Sequence, residues 1–307
     1  MDIQAYVLLD DTGTPKAGIP FGRIADITGE RIVILPFSDY CDPLTNDSDQ
    51  WNCLIEKLLS ENCPVVVRCL HNSLPLADER FSLAKEAKWH GLDLRSDLDT
   101  LWHGLHDSSR RAIKKARREE VVVRIAQREE ELRAFFNMHL RTRKYKYHLL
   151  AQPYRFFENV WRHFVTAQNG ALMVAVYRDE IIGGSFFLEW KDTLYYKFNA
   201  SVSDHLAYRP NDLLIWEGIQ YSKTKGYTYL DFGLSDQDQA GLVRFKRKFA
   251  TEEKTISFLR YTPNGVPIPQ ENQARNLLNQ LTNLLIDESV PDRVTEKAGE
   301  VLYRFFT

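Results

Sequence analysis

The 307-residue sequence predicts an α+β protein of two related halves, each a mixed, mainly antiparallel sheet flanked by helices, with a helical C-terminal tail. Three observations predict it. Short β-rich runs recur with tight turns between them, which favours antiparallel neighbours. The second half repeats the strand and helix grammar of the first more completely. Towards the C-terminus the pattern turns helical, and Leu277, Leu278, Leu281, Leu284 and Leu285 form an i, i+3, i+4 stripe. The bounds that follow are 1–120 for a reduced first half, 121–262 for the second half and 263–307 for the tail.

In order along the chain, Gly22–Ile27 and Arg31–Leu35 flank a Thr28-Gly29-Glu30 turn and predict a hairpin. A polar loop, Asp39 to Asp49, leads to an amphipathic helix over Gln50–Leu59. Pro64-Val65-Val66-Val67-Arg68 reads as a buried strand, and a long helix is predicted over Asp97–Glu120. Val121–Ile125 then opens the second half as a strand. Helices follow over Glu129–Arg143 and Tyr154–Gln168, the latter with Pro153 at its first turn. Ala171–Tyr177, Ile181–Glu189 and Thr193–Ala200 form a meander, with turns at Arg178-Asp179-Glu180 and Lys191-Asp192. Pro210 starts a helix that Gly226 ends, because glycine suits a left-handed C-cap. Tyr227–Phe232 and Ile256–Tyr261 are the last strands, with a short helix, Gly241-Leu242-Val243-Arg244-Phe245-Lys246-Arg247-Lys248-Phe249, between them.

Hydrophobic content of 44% and 12% aromatics support a packed core. A net charge of −2 gives no global drive toward nucleic acid or anionic membrane, and no base-reading module for DNA is present. No apolar run is long enough to span a bilayer, and no basic-then-apolar leader opens the chain. Cys41, Cys53, Cys63 and Cys69 lack zinc-ligand spacing. They read as reduced thiols of a cytoplasmic protein, and no metal is expected.

On a helix at about 100° per residue, Leu242, Phe245 and Phe249 cluster on one face, and Lys246 sits at its edge. A partly buried ammonium needs a reason, because desolvation is costly without a partner. Arg110 to Arg118 concentrates cations. Its interruptions at Ala112, Ile113 and Ala116 fit a helix with one apolar stripe and a solvated basic face.

The order of elements resembles the GNAT acyltransferase fold, and the motifs resemble the FemAB-like branch, in which two GNAT-like halves are fused. The stretches that carry this cover most of the chain. They are Leu35-Pro36-Phe37-Ser38-Asp39-Tyr40, Ser109-Arg110-Arg111 with Ile113-Lys114-Lys115-Ala116, Arg141-Thr142-Arg143-Lys144 with Gln152-Pro153, Asn211-Asp212-Leu213-Leu214, Asp231-Phe232-Gly233, the GL-x-x-FK-x-x-F segment and Tyr303-Arg304-Phe305-Phe306. Within that branch the chain is most similar to acyltransferases found near bacterial exopolysaccharide genes.

The resemblance implies transfer of an acyl group to an amine of a cell-envelope or exopolysaccharide precursor, a small-molecule, glycan or peptide acceptor. The implied co-substrate is acyl-CoA, or aminoacyl-tRNA as in peptidoglycan-bridge enzymes. For a tRNA, Arg110, Arg111, Lys114 and Lys115 are the candidate contacts. The Q/R-x-x-G-x-G/A pyrophosphate loop of ordinary GNAT proteins is absent, and His205-Leu206-Ala207-Tyr208-Arg209-Pro210-Asn211 stands in its place. A non-catalytic binding protein that kept the fold is the alternative from another class.

Under this reading Lys246 stabilises the tetrahedral oxyanion or holds a phosphate, or else its stem covers Phe245 while its head reaches water. Arg209 and Asn211, at a helix N-terminus, offer an anion site, or only a local cap. Tyr195 and Tyr196 face opposite sides of one strand, and either serves as general acid or as packing. Asp231 orients the amine or accepts its proton, or caps the loop at Gly233. Asp39 and Tyr40 line an acceptor cleft between the halves, and Phe245 is the aromatic anchor beside the donor.

Overall fold

The computed structural model describes residues 2–265 and 269–306. In the first half β1 (Asp2–Leu9), β2 (Pro15–Asp26) and β3 (Gly29–Val33) precede α1 (Ser48–Leu59) and β4 (Val65–Cys69). β5 (Ser82–Asp93), α2 (Leu98–Gly104) and α3 (Asp107–Arg118) complete it. The second half runs β6 (Val122–Ile125), α4 (Glu129–Arg141), α5 (Tyr154–Val160), β7 (Gly170–Tyr177), β8 (Glu180–Trp190) and β9 (Thr193–Ser201). It continues with α6 (Pro210–Lys225), β10 (Tyr229–Asp236), α7 (Ala240–Arg247) and β11 (Glu252–Tyr261), and the tail holds α8 (Pro269–Leu285) and α9 (Asp292–Leu302).

The eleven strands among the described residues join one mixed, mainly antiparallel sheet in the order β1-β2-β3-β4-β11-β5-β10-β9-β8-β7-β6. β11, late in sequence, lies between β4 and β5 of the first half and pairs antiparallel with both. β5 in turn pairs with β10. The two halves therefore exchange backbone hydrogen bonds through the middle of the sheet, and that middle is where side chains from both meet.

The predicted helix over Asp97–Glu120 is two helices. Leu105 leaves helical geometry, the His106 ring accepts a bond from the Ser108 N–H, and the His106 N–H donates to the Lys248 carbonyl at 3.0 Å. That cap starts α3 afresh. α3 buries Ser109, Ile113 and Ala116 and turns its charged side outward, as the interruptions predict. α6 matches its predicted ends, with Pro210 at its first turn and Gly226 left-handed at φ 80°.

Packing is layered. α1 covers β2, β3 and β4 through Trp51, Leu54, Ile55 and Leu58. α3 and α6 cover one face of the second-half strands through Ile113, Leu214, Ile215 and Ile219. α4 and α5 cover the other through Phe135, Phe136 and Phe157. Both α4 and α5 run into π-helical turns, Thr142–Lys146 and Trp161–Val165. Such turns concentrate at functional sites, and the first of them reaches the cavity described below.

The tail docks on the body. Lys144, fully buried, donates to the Val290 carbonyl and sits 3.2 Å from Asp292. Tyr145 donates to the same carboxylate at 2.7 Å, and Arg133 pairs with Glu296 at 3.1 Å. Of the predicted leucine stripe, Leu278 is buried, whereas Leu277, Leu281 and Leu284 stay exposed. Lys144→Ala should leave the part-buried Val290 carbonyl without its lysine donor, a cost of about 1 kcal/mol. Faster proteolytic release of the tail than in wild type is the expected readout, and an unchanged rate would count against the latch.

Candidate active site

β9 and β10 are parallel neighbours, yet they pair only over Thr193–Tyr195 and Tyr229–Asp231 before separating. Two bulges drive them apart. In β9, Phe187 faces Tyr196 but Phe186 faces Phe198, so Lys197 is the extra residue. In β10, Asp231 faces Gly91 and Leu234 faces Trp89, which leaves one extra residue at Phe232-Gly233. Gly233 is left-handed at φ 64°, and the Asp231 carboxylate caps its N–H at 2.6 Å. The Asp-Phe-Gly motif is thus a strand bulge with its own cap.

Charges from distant parts of the chain fill the gap. Asp39, on the loop after β3, accepts from the Lys197 ammonium at 2.7 Å and from the Leu234 N–H at 3.4 Å. A Cβ on Gly233 would stand 2.5 Å from Asp39 Oδ2, so glycine is needed for contact as well as for φ. Lys246 donates to the carbonyls of Gly233 at 3.1 Å and Leu234 at 2.8 Å. It is 3% exposed, and burial brings its ammonium down to a pKa of about 7 despite the opposing carboxylates Asp39 and Asp231. Burial alone would raise Asp39, but Lys197 and then Lys246 hold its carboxyl below the usual range. Asp231 goes the other way. Burial raises it, and the nearby Asp39 charge adds to that.

The helical projection of 242–249 is corrected by the structure. The buried stripe is Val243, Lys246 and Phe249, so Lys246 is central, while Leu242 and Phe245 edge the cavity. The helix turns a lysine inward because the bulge presents two carbonyls that need a donor.

Two cavities flank the splay. The larger, about 1210 Å³, is walled by Tyr196, Lys197, Asn199 and Phe232 from the diverging strands and by Phe245 and Lys246 from α7. The π-helical turn brings Arg143 and Lys146 to it, and the tail contributes Tyr303 and Arg304. The smaller, about 370 Å³, is lined by Tyr40, Trp89, Tyr195, Tyr229 and Asp231, with Glu252 and Lys254 beside them.

The predicted site residues divide between these spaces. Lys246, Asp39, Phe245, Tyr196 and Asn211 line the larger cavity. Asp231, Tyr195 and Tyr40 line the smaller, where the Tyr40 hydroxyl donates to Asp231 at 3.2 Å. Asn211 accepts from Asn199 at 3.1 Å and donates to Ser201 at 3.2 Å. Tyr196 packs on Phe187 and Phe232, and burial raises its phenol, keeping it protonated. Arg209 is exposed in a left-handed conformation before α6 and lines neither cavity. Arg110, Arg111, Lys114 and Lys115 also lie outside both.

Sequence reasoning missed Lys197, Arg143 and Lys146 in the larger cavity, and Trp89, Tyr229, Glu252 and Lys254 in the smaller. Strict alternation puts Lys197 with Tyr195, and only the bulge moves it across. Trp89 lies on β5, a strand the sequence reading left out.

Comparison with known proteins places this geometry. Residues 106–247 match the family model described as an acetyltransferase (GNAT) domain. A search of curated protein sequences gives no match. Among solved structures the chain is similar to FemX, with a TM-score of 0.64 at 12% identity over 91% of this chain and 90% of that one. It is also similar to L-PGS from Bacillus licheniformis (TM-score 0.54, 15% identity, 91% of this chain and 89% of that one). A tandem GNAT protein from the clavulanic acid biosynthesis pathway matches at TM-score 0.54 and 9% identity, over 87% of this chain and 84% of that one. At such identities these likenesses concern the fold. Residues 106–247 thus match the GNAT acetyltransferase family model, within a chain whose whole fold is shared with FemX and with the tandem GNAT protein.

Proposed function

We propose that the chain transfers an acyl group from an activated donor to an amine, with the donor in the larger cavity and its carbonyl at the point where β9 and β10 part. The observation that carries this is the splay itself. It opens a space of about 1210 Å³ beside the linked charges Lys197, Asp39 and Lys246. Arg143, Lys146, Arg244, Lys248 and Arg304 on the same walls suit a phosphate-bearing donor.

In this reading the amine nitrogen attacks the donor carbonyl carbon. A C–N bond forms, and the C–S bond of a thioester, or the C–O bond of an aminoacyl ester, breaks. Asp231, raised by burial and the last residue of β10 that pairs with β9, accepts the amine's proton. The oxyanion faces the Lys246 ammonium, whose charge is worth most in a site shielded from water. Tyr196 stays protonated and donates a hydrogen bond to the leaving thiolate or alkoxide, which departs as the thiol or alcohol after taking up a proton. Coenzyme A is the small donor of choice. The fold shared with FemX keeps an aminoacyl-tRNA donor as the second reading. The acceptor we infer is an amine of a cell-envelope or exopolysaccharide precursor, acylated in the cytoplasm. No helix among the described residues is long and apolar enough to cross a membrane.

Ligand-linked stability tests this reading. A donor at a hundred times its Kd adds about 2.7 kcal/mol to stability. A rise in Tm with acetyl-CoA or with charged tRNA is expected, and ribonuclease abolishes only the second. No shift with either would overturn the proposal.

A further inference from the structure

Apart from Asp231, the smaller cavity has a wall chemistry the reaction scheme does not use. Sheet register builds it. Glu252 on β11 and Asp231 on β10 both lie opposite Gly91 of β5, and Asp231 lies opposite Tyr195 of β9. One cross-strand row thus reads Glu252, Gly91, Asp231, Tyr195. Two residues on, the next row on the same face places Lys254 opposite Trp89. Trp89 and Tyr229 stack with parallel rings, 6.2 Å between centroids and 5° between planes. Gly91 makes this possible, because a Cβ there would stand 2.1 Å from the Tyr229 hydroxyl and 2.5 Å from the Trp89 ring. From the loops above, Tyr40 and His71 close the space, and His71 lies edge-on to both Tyr40 and Trp89.

The result is an aromatic box with two carboxylates and one resident cation. Lys254 Nζ stands 5.4 Å from the Trp89 ring centroid and 3.5 Å from Glu252. It shows that the box accepts an ammonium group. Lys254 keeps 42% of its side-chain surface exposed, so it is free to swing out. Asp231, only 4% exposed, stays at the floor of the box. Aromatic faces and carboxylates together select organic cations over neutral or anionic groups.

We propose that this box binds the acceptor as a protonated amine, with Lys254 as the cation it displaces. The assignment to the acceptor rests on the acyl-transfer reading. The cation site itself does not. Asp231 joins the two, since it lines the box and carries the proton-accepting role beside the splay. Bound as R–NH3+, the acceptor passes one proton to the Asp231 carboxylate and becomes the R–NH2 nucleophile; the second proton, released as the C–N bond forms, leaves with the departing thiol or alcohol.

The test uses the full chain and n-propylammonium chloride, with n-propanol as the neutral control. The indole N–H resonance of Trp89, assigned by its loss in Trp89→Phe, reports binding at the box. Propylammonium should shift it and propanol should not. Lys254→Ala should tighten propylammonium at least fivefold, and adding Glu252→Gln should weaken it at least threefold from there. Both sites are partly exposed, so these variants should fold. Equal shifts with the two probes, or no Trp89 shift with Lys254 removed, would overturn the cation site. A protein that binds propylammonium at Trp89 but transfers no acyl group from any donor would keep the site and lose only its acceptor role.

Discussion

Lys246→Met is expected to cut turnover at least about tenfold, near 1.4 kcal/mol in the barrier, while the protein stays folded. It should also flatten the rise of stability with pH above neutrality. Both effects come from one burial. An unfolded lysine holds its proton to about pH 10.4, whereas Lys246 in the fold releases it near a pKa of about 7. Between those values the unfolded chain binds the extra proton, so raising the pH favours the folded state. The slope approaches about 1.4 kcal/mol per pH unit. Other groups titrate in that window, so the informative quantity is the difference between wild type and variant in denaturant titrations. Methionine fills the lysine's volume but cannot donate to the Gly233 and Leu234 carbonyls that Lys246 holds. The carbonyls lose their donor, but the cost of burying a charged lysine below neutrality is removed as well, so the missing slope rather than the absolute stability marks the titration. Wild-type turnover in this variant would remove Lys246 from the mechanism.

Gly233→Ala is the second large effect. A left-handed alanine costs roughly 1–2 kcal/mol, and Gly233 has φ 64°. The new methyl would also stand 2.5 Å from Asp39 Oδ2. Asp39 must then leave Lys197 and the Leu234 N–H. Stability should fall by more than the backbone cost alone, and turnover should fall at least about tenfold. The combined variant with Asp39→Ala separates the terms. With the carboxylate gone the methyl has room, so Gly233→Ala should then cost only the backbone part. Additive losses in that cycle would show that the two residues do not couple.

Elements with local punctuation were legible in the sequence. Pro210 and Gly226 mark both ends of α6, and the meander turns mark β7, β8 and β9. β5 was not, because Lys85, Glu86 and Lys88 break any apolar run and its burial comes from β11 and β10 on either side. The β9 bulge falls on a lysine, with no glycine or proline to announce it. For the site, the Asp-Phe-Gly motif and the inward lysine could be read locally. Their partner Asp39, 195 residues from Leu234, could not be placed by spacing. Nor could the second cavity, whose row of Glu252, Gly91, Asp231 and Tyr195 exists only once β11 crosses into the first half.

The central claim is that the splay between β9 and β10 carries acyl transfer to nitrogen. The most direct measurement is mass spectrometry of a primary amine acceptor after incubation with the protein and either acetyl-CoA or charged tRNA, followed by hydroxylamine. The account predicts an acylated product that survives hydroxylamine, as an amide does, and that falls at least about tenfold with Lys246→Met. Folded wild-type protein that yields no amide from either donor, or yields it equally well without Lys246, would contradict it.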